Sequence, residues 1–521
     1  MRSPDLSELQ AFRERLCDLE DDVLANPIIP LQKVKHFNPR RALVWTFLLL
    51  IFTGWALLNT PLAQVSGCWS WEVPGQPFAW STCARALLDN LFMATSASCV
   101  TGLTVLNVPT AYTPFGQAVL LLCIQLGGLS LLTLGTLIVS LLLGRVSAGG
   151  ERQMVMSYGA NHDGIAHALL RQTVRYVFTF ELLGTGLLFL RYFYHHGYPF
   201  SKSLWFALFH AISAFCNSGL SLHEGNLTTM RGDLPYVAII SLLVIFGGIG
   251  FVVLSNVFRY RFWQRDLRRR GRISLHARIV LWTTLILLVG GGALFTVFEW
   301  NASLAYLPGE TSYWECLRAA DWTSLSRLLG QDLERVSIGF AQSAMFRTAG
   351  FNFVQMGDIT PPANLLSVLL MLIGGSPGSM AGGIKTTTLV VLLLTIRAYI
   401  RGNPDVQIHR RTLSGAICRE AMVIVFFYLA VVFLFYAILL CTEQALIRQH
   451  GDFGLFYEVT SAFGTVGTSL DATGALTPFG RMLISLAMFL GRIGPISLAL
   501  AMANRGITHH VRYPEETLTV G

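Results

Sequence analysis

Ser98-Cys99-Val100-Thr101-Gly102-Leu103 closes a short apolar run at residues 87–97, and three later segments repeat its character. They are Cys216-Asn217-Ser218-Gly219-Leu220 after 204–215, Phe346-Arg347-Thr348-Ala349-Gly350-Phe351 after 338–345, and Gly464-Thr465-Val466-Gly467-Thr468 after 453–463. Their key glycines stand 117, 131 and 117 residues apart. Each short run is preceded by a long apolar run (42–58, 176–193, 279–298, 422–440) and followed by another (118–143, 236–258, 365–396, 483–502). A further landmark, Gly127-Gly128, Gly247-Gly248, Gly374-Gly375 and Gly491-Arg492, trails each key glycine by 24 to 28 residues. Landmarks in fixed order, four times over, outweigh any single motif as a guide to architecture.

A spanning helix needs about 20 apolar residues. The long runs meet that length and the short ones do not, so the repeated unit reads as helix, half-helix, glycine turn, helix. The predicted fold is therefore an all-α integral membrane protein. Four pseudo-symmetric repeats surround a central pore, with eight full spans and four re-entrant hairpins. Composition agrees: of 521 residues, 53% are hydrophobic and only 13% charged, about half the charge of a soluble globule. The mean hydropathy is +0.53. These figures exclude a disordered chain, a nucleic-acid module and most soluble enzymes. The net charge of +8 lies beside apolar runs, as cytoplasmic membrane flanks do. Residues 259–278 hold eight arginines against Asp266, and Arg397, Arg401, Arg410, Arg411 and Arg419 fill a later connection. The positive-inside rule puts these, and both chain ends, in the cytoplasm.

The predicted divisions are a cytoplasmic segment 1–41, repeats at 42–160, 161–272, 273–408 and 409–504, and a cytoplasmic tail 505–521. No secretory signal begins with a polar stretch carrying Asp18, Glu20, Asp21 and Asp22, so the run from Ala42 is expected to stay as a helix. Leu6, Leu9, Phe12, Leu16, Leu19 and Val23 make one apolar stripe. Two readings stand for it: a helix lying on the membrane or the protein, or a docking helix for a second subunit.

Non-helical backbone cannot face lipid, because its N–H and C=O groups would go unsatisfied, but it is tolerated where it lines a wet cavity. Four equivalent hairpins would bring four such stretches to a shared axis, where inward carbonyls replace the water shell of a cation. Glycine permits the close approach and the backbone angles this needs. Half-helix C-termini add partial negative charge. The unit thus predicts a cation-selective pore built from one chain.

These four segments resemble the filter signatures of the Trk/Ktr/HKT superfamily of potassium transporters. Residues 374–388, starting Gly374-Gly375-Ser376-Pro377-Gly378 and running through Gly382-Gly383-Ile384-Lys385, resemble that family's intramembrane gating loop, and Gly491-Arg492-Ile493-Gly494-Pro495 its fourth-repeat signature. The likeness spans about residues 42–503 and is nearest to the Ktr-type membrane subunit. It implies ion binding at Val100, Thr101, Gly102, Asn217, Ser218, Gly219, Thr348, Ala349, Gly350, Thr465, Val466 and Gly467, with K+ held at the filter. Glycine at 102, where sodium-favouring plant members carry serine, implies a potassium preference. The resemblance also implies a homodimer in lipid, in the bacterial inner membrane, on a cytoplasmic ring of nucleotide-binding regulatory subunits. Sodium would act as an activator, nucleotide would bind only the regulatory partner, and no nucleic acid would be involved.

The gate is assigned to Gly374, Gly375, Gly378, Gly382, Gly383, Lys385 and Arg492. Five glycines and Pro377 between 374 and 384 cannot hold a regular helix. Lys385 either biases closure through its charge or snorkels to the cytoplasmic interface. Arg492 lies mid-span, where a charge is expensive, and the family reading puts it against the loop. Arg347 is expected to stand behind the filter, held by Glu458 or Asp89 as filter support. Glu181 is expected to pack against a neighbour rather than bind an ion. Cys68 and Cys83 are a candidate disulfide; Cys99, Cys123, Cys216 and Cys441 read as inert core. No P-loop, dinucleotide fingerprint or catalytic triad appears, so the chain is not expected to be an enzyme. The expected activity is channel-like potassium uptake driven by the membrane potential. A potential of 100 mV supplies roughly 2.3 kcal/mol per charge, or about 50-fold accumulation. The rival reading is a sodium-coupled or sodium-permeable secondary transporter.

Overall fold

The computed structural model describes residues 39–65, 80–129, 165–259, 273–300, 302, 322–409 and 411–494. The apolar stripe of the N-terminal segment, most of the arginine-rich connection 259–278, Pro495 and the C-terminal tail lie outside the described residues. So does Cys68; Cys83 takes part in a disulfide.

The described residues are mainly helical, with one small antiparallel hairpin of β1 (Val406–Ile408) and β2 (Arg411–Leu413). The first unit comprises α1 (Pro39–Leu58), α2 (Trp80–Ser98) and α3 (Pro114–Gly128), and the second α4 (Ile165–Leu190), α5 (Phe200–Phe215), α6 (Leu234–Ile249) and α7 (Phe251–Arg259). The third holds α8 (Leu275–Glu299), α9 (Trp322–Met345), α10 (Pro361–Leu372) and α11 (Thr386–Ile400). The fourth holds α12 (Gly415–Thr442), α13 (Gln444–Gly464) and α14 (Pro478–Ile493). The helices preceding the key glycines are longer than their apolar runs: α9 extends N-terminally through Asp332 and Glu334, and α13 is kinked at Gly451. The run 236–258 is not one helix. Gly250, with φ +94°, breaks it, and α6 and α7 meet at 100°.

The helix that follows each key glycine starts the same way, on a Thr or Asp N-cap with proline in its first turn: Thr113-Pro114, Asp233-Leu234-Pro235, Thr360-Pro361, Thr477-Pro478. At Thr113, Asp233 and Thr477 the N-cap side-chain oxygen takes an otherwise unpaired backbone N–H, and proline in the first turn loses nothing because its position has no helical partner for an N–H. The same junction is hooked to the chain at, or a few residues past, the end of the unit's first helix. Thr113 N donates to Ala63 O at 3.0 Å, and Arg191 grips Asp233 at 2.7 Å. Glu299 accepts from Thr360 N at 2.8 Å, and Glu443 from Thr477 N at 3.2 Å. Glu299 and Glu443 are buried, so each hook satisfies a carboxylate that would otherwise cost several kcal/mol (about 1–3 per lost hydrogen bond).

Among the described residues, Gln172–His195, Leu275–Glu299 and Gly415–Thr442 are each long and apolar enough to cross a membrane, and the bent pair α6–α7 makes a fourth if taken as one span. Val44–Leu58, Pro114–Gly128, Pro361–Leu372 and Thr386–Ile400 are apolar but shorter. Apolar side chains such as Leu182, Ile286 and Phe426 point outward, exposed. Such a surface suits hydrocarbon rather than water. This is a membrane protein.

Candidate functional site

Where α2, α5, α9 and α13 end, the backbone turns left-handed. Val100, Asn217, Thr348 and Thr465 have φ of +55°, +61°, +82° and +49°, and two residues later Gly102, Gly219, Gly350 and Gly467 have +94°, +75°, +71° and +97°. A non-glycine residue held there costs on the order of 1–3 kcal/mol and persists only when its surroundings enforce it. The enforcement is hydrogen bonding back to the helix ends. Thr101 N donates to Ser96 O at 2.8 Å, Ser218 N to Ser213 O at 2.8 Å, Ala349 N to Met345 O at 2.9 Å and Val466 N to Ser461 O at 2.9 Å. Gly102 N and Gly467 N reach the hydroxyls of Ser96 and Ser461, at 3.0 and 3.1 Å.

In a trans peptide the C=O points opposite to the following N–H. Because these N–H groups face the helix ends, the carbonyls of Val100, Asn217, Thr348 and Thr465 in the same peptides face away from them. The segments close a circle. A Cβ on Gly102 would lie 3.4 Å from Gly219 Cα, one on Gly219 2.7 Å from Gly350 Cα, one on Gly350 3.2 Å from Gly467 Cα, and one on Gly467 2.9 Å from Gly102 Cα. Each would also strike the carbonyl oxygen preceding the next glycine, those of Ser218, Ala349, Val466 and Thr101 in turn. Among the described residues no donor reaches these four oxygens. Acceptors without donors, on backbone packed this closely, are the chemistry of a dehydrated monovalent cation.

Above the ring lies a cavity of about 420 Å³. Residues two past each glycine, Thr104, Ser221, Asn352 and Ser469, line it, as do those four past, Leu106, His223, Val354 and Asp471. Asn226 ties two quarters together, donating to Gly219 O at 3.5 Å and Gly350 O at 3.3 Å.

Behind the ring, the expected partners of Arg347 are engaged elsewhere. Asp89 on α2 pairs with Arg481 on α14, joining the first unit to the fourth. Glu458 accepts from Ser469 Oγ and, at 2.9 Å, from Thr473 Oγ1. Arg347 is buried, and its Nε has no partner among the described residues. The pairing expected from sequence is thus corrected: Asp89 is taken by Arg481 and Glu458 by Ser469 and Thr473. Glu181 packs as expected, accepting from Gln125 Nε2 at 3.1 Å and from the Cys216 thiol.

Beneath the ring runs the glycine-rich segment between α10 and α11. It doubles back on itself: Gly374 N donates to Ile384 O at 2.9 Å and Ile384 N to Leu372 O at 3.2 Å. It leans on the broken helix of the second unit, with Ser376 N on Gly248 O at 3.1 Å, Met380 N on Gly247 O at 3.2 Å and Phe251 N on Gly378 O at 3.2 Å. Arg492 of the fourth unit donates to Met380 O of the segment and to Gly127 O of the first unit. A Cβ on Gly382 would strike Thr465 Oγ1, so the segment also abuts the fourth ring strand. Gly375 O accepts from Thr386 N at 3.1 Å, and a Cβ on Gly383 would lie 2.9 Å from Gly374 Cα. Lys385 Nζ donates to Ala381 O at 2.7 Å, within the segment itself. Sequence reasoning missed Arg481, Asn226 and the break at Gly250. The first two give no local signal, and the third sits inside an unbroken apolar run.

A family model described as a cation transport protein, TrkH, matches residues 77–506. The Ktr system potassium uptake protein B of Bacillus subtilis (strain 168) is 34% identical over 490 residues, covering 93% of this chain and 97% of that one. The potassium/sodium uptake protein NtpJ of Enterococcus hirae is 29% identical, covering 94% and 98%. The crystal structure of the potassium transporter TrkH from Vibrio parahaemolyticus shares the fold, with a TM-score of 0.61 at 14% identity, covering 91% of this chain and 87% of that one. With the match running over most of its length, the chain belongs to the TrkH family of cation transport proteins.

Proposed function

We propose that the chain is the ion-translocating subunit of a potassium uptake system, passing K+ through the ring under the membrane potential. The observation that carries this reading is the closed ring of donor-free carbonyls at Thr101, Ser218, Ala349 and Val466. Val100, Asn217, Thr348 and Thr465 set the backbone turn, and the four glycines let the strands approach. The four units, 42–160, 161–272, 273–408 and 409–504, surround the conduit with eight spans and both termini in the cytoplasm of a bacterial inner membrane. The segment 374–388 is the gate, with Arg492 as its latch; the contacts of Met380, Gly378 and Gly382 with three other units support that role. Arg347, Glu458 and Asp89 support the strands from behind. A homodimer on a nucleotide-binding regulatory ring, with sodium as activator, completes the reading, in keeping with relatives named as parts of a Ktr system. The name of the Enterococcus relative favours sodium as a second permeant ion.

The test is potassium-limited growth of an uptake-deficient bacterium expressing the chain with and without a regulatory partner. Rescue with the partner, lost in Gly102→Ser or made sodium-tolerant by it, is the expected result. Failure to rescue in both conditions, with the protein present in the membrane, rejects potassium uptake.

A further inference from the structure

The cavity above the ring is lined in fours, and its charge breaks the symmetry. Four residues past the ring glycines stand Leu106, His223, Val354 and Asp471, so His223 and Asp471 occupy equivalent places in the second and fourth units, which are not neighbours around the circle. Asp471 is the one carboxylate among the described residues lining this cavity, and no lysine or arginine lines it. His223 does not balance it with positive charge. Its Nε2 lies 2.8 Å from Tyr192 Oη, and burial, then the neighbouring His210, His196 and Lys202, hold it well below the usual imidazole range.

Three features set where the Asp471 carboxylate sits. The backbone is left-handed there, with φ +62°, a conformation aspartate tolerates better than most residues. The loop is strapped on both sides, because Ser469 Oγ and Thr473 Oγ1 both donate to the buried Glu458. Gly357 of the third unit leaves room for it: a Cβ there would lie 2.7 Å from Asp471 Oδ2. The carboxylate is exposed and also lines a second cavity of about 570 Å³, shared with Asp358. No donor among the described residues reaches it.

We propose that Asp471 concentrates monovalent cations at the outer mouth of the ring, acting through its charge at a distance rather than as a ligand in the conduit. The inference rests on the reading of the ring as the cation path. A fixed charge in a concave, partly desolvated mouth raises the local counter-ion concentration, and salt screens the effect.

The experiment measures rubidium or potassium uptake by membranes carrying the full chain and its regulatory partner. It compares wild type, Asp471→Asn and Asp471→Glu at ionic strengths of about 10 mM and about 300 mM, where the screening length falls from about 30 Å to well under 10 Å. Asp471→Asn is expected to raise the half-saturating concentration about threefold at low ionic strength, with the difference vanishing at high ionic strength. Maximal rate and ion preference stay at the wild-type values, and Asp471→Glu restores most of the affinity. An unchanged half-saturation at low ionic strength overturns the proposal, as does a shift that salt leaves intact. If the wild type carries sodium and not potassium, the potassium reading fails, and the same comparison made with sodium still decides the role of Asp471.

Discussion

Gly127, Gly247 and Gly491 hold the same place in their units as Gly374, yet they meet different neighbours. Each of the first three packs so tightly that a Cβ would strike the terminal carbonyl of its unit's preceding short helix, Ser98, Phe215 or Phe463. Gly374 meets Gly382 and Gly383 of its own glycine-rich segment instead. In three units the last helix is therefore clamped to the helix that presents the ring strand. In the third unit that contact is absent, and the glycine-rich segment runs beneath the ring against Gly247, Gly248 and Phe251 of the second unit and Arg492 of the fourth. A repeat can thus keep its landmark while one copy turns it from a seat on the preceding helix into a contact within its own segment.

The largest effect should separate the two kinds of glycine. Gly491→Ala puts a methyl 2.8 Å from Phe463 Cα, and neither backbone can yield. We expect uptake to fall more than tenfold, with reduced thermal stability of the purified protein. Gly374→Ala should instead lift the segment and raise uptake measured without the regulatory partner. Identical behaviour of the two variants breaks the comparison.

Next in size is the tie between the first and fourth units. Removing one member of a buried ion pair strands the other, at a cost of about 3–5 kcal/mol. Arg481→Met should lower the denaturation midpoint markedly, and Asp89→Asn less so, because the amide still accepts a hydrogen bond. The Arg481→Met Asp89→Leu double variant should regain most of the loss. No recovery in the double variant rejects a pairwise tie.

The smallest effect tests the latch. Arg492→Gln removes the donors on Met380 O and Gly127 O while leaving the ring strands untouched. We expect uptake without the regulatory partner to rise about two- to tenfold, the scale of one or two charge-assisted hydrogen bonds partly replaced by water. Unchanged partner-free uptake would mean that Gly247, Gly248, Phe251 and Thr465 hold the segment without Arg492.

The meeting of the four glycines was legible because glycine and proline punctuate an apolar chain sharply: Gly102, Gly219, Gly350 and Gly467 end runs too short to span, and Pro377 with five glycines cannot continue a helix. The Thr-Pro and Asp-Leu-Pro caps were equally readable. What escaped were matters of pairing. Asp89 and Arg481 lie 392 residues apart, and nothing in spacing says which acid a buried arginine will find, so Arg347 was matched with acids that already had donors. The break at Gly250 escaped for another reason: its flanks, Gly248-Ile249 and Phe251-Val252, are as apolar as a continuous helix. Hydropathy measures partition into lipid and is blind to a change of direction.

The circle of four backbone contacts has no free end. A strand displaced at one corner presses on the carbonyl of the adjacent quarter before it can relax toward solvent, and that quarter presses on the next. Substitutions in adjoining quarters should therefore depend on one another more strongly than those set diagonally. Evolution would then be constrained to change the aperture's width by concerted steps rather than one corner at a time.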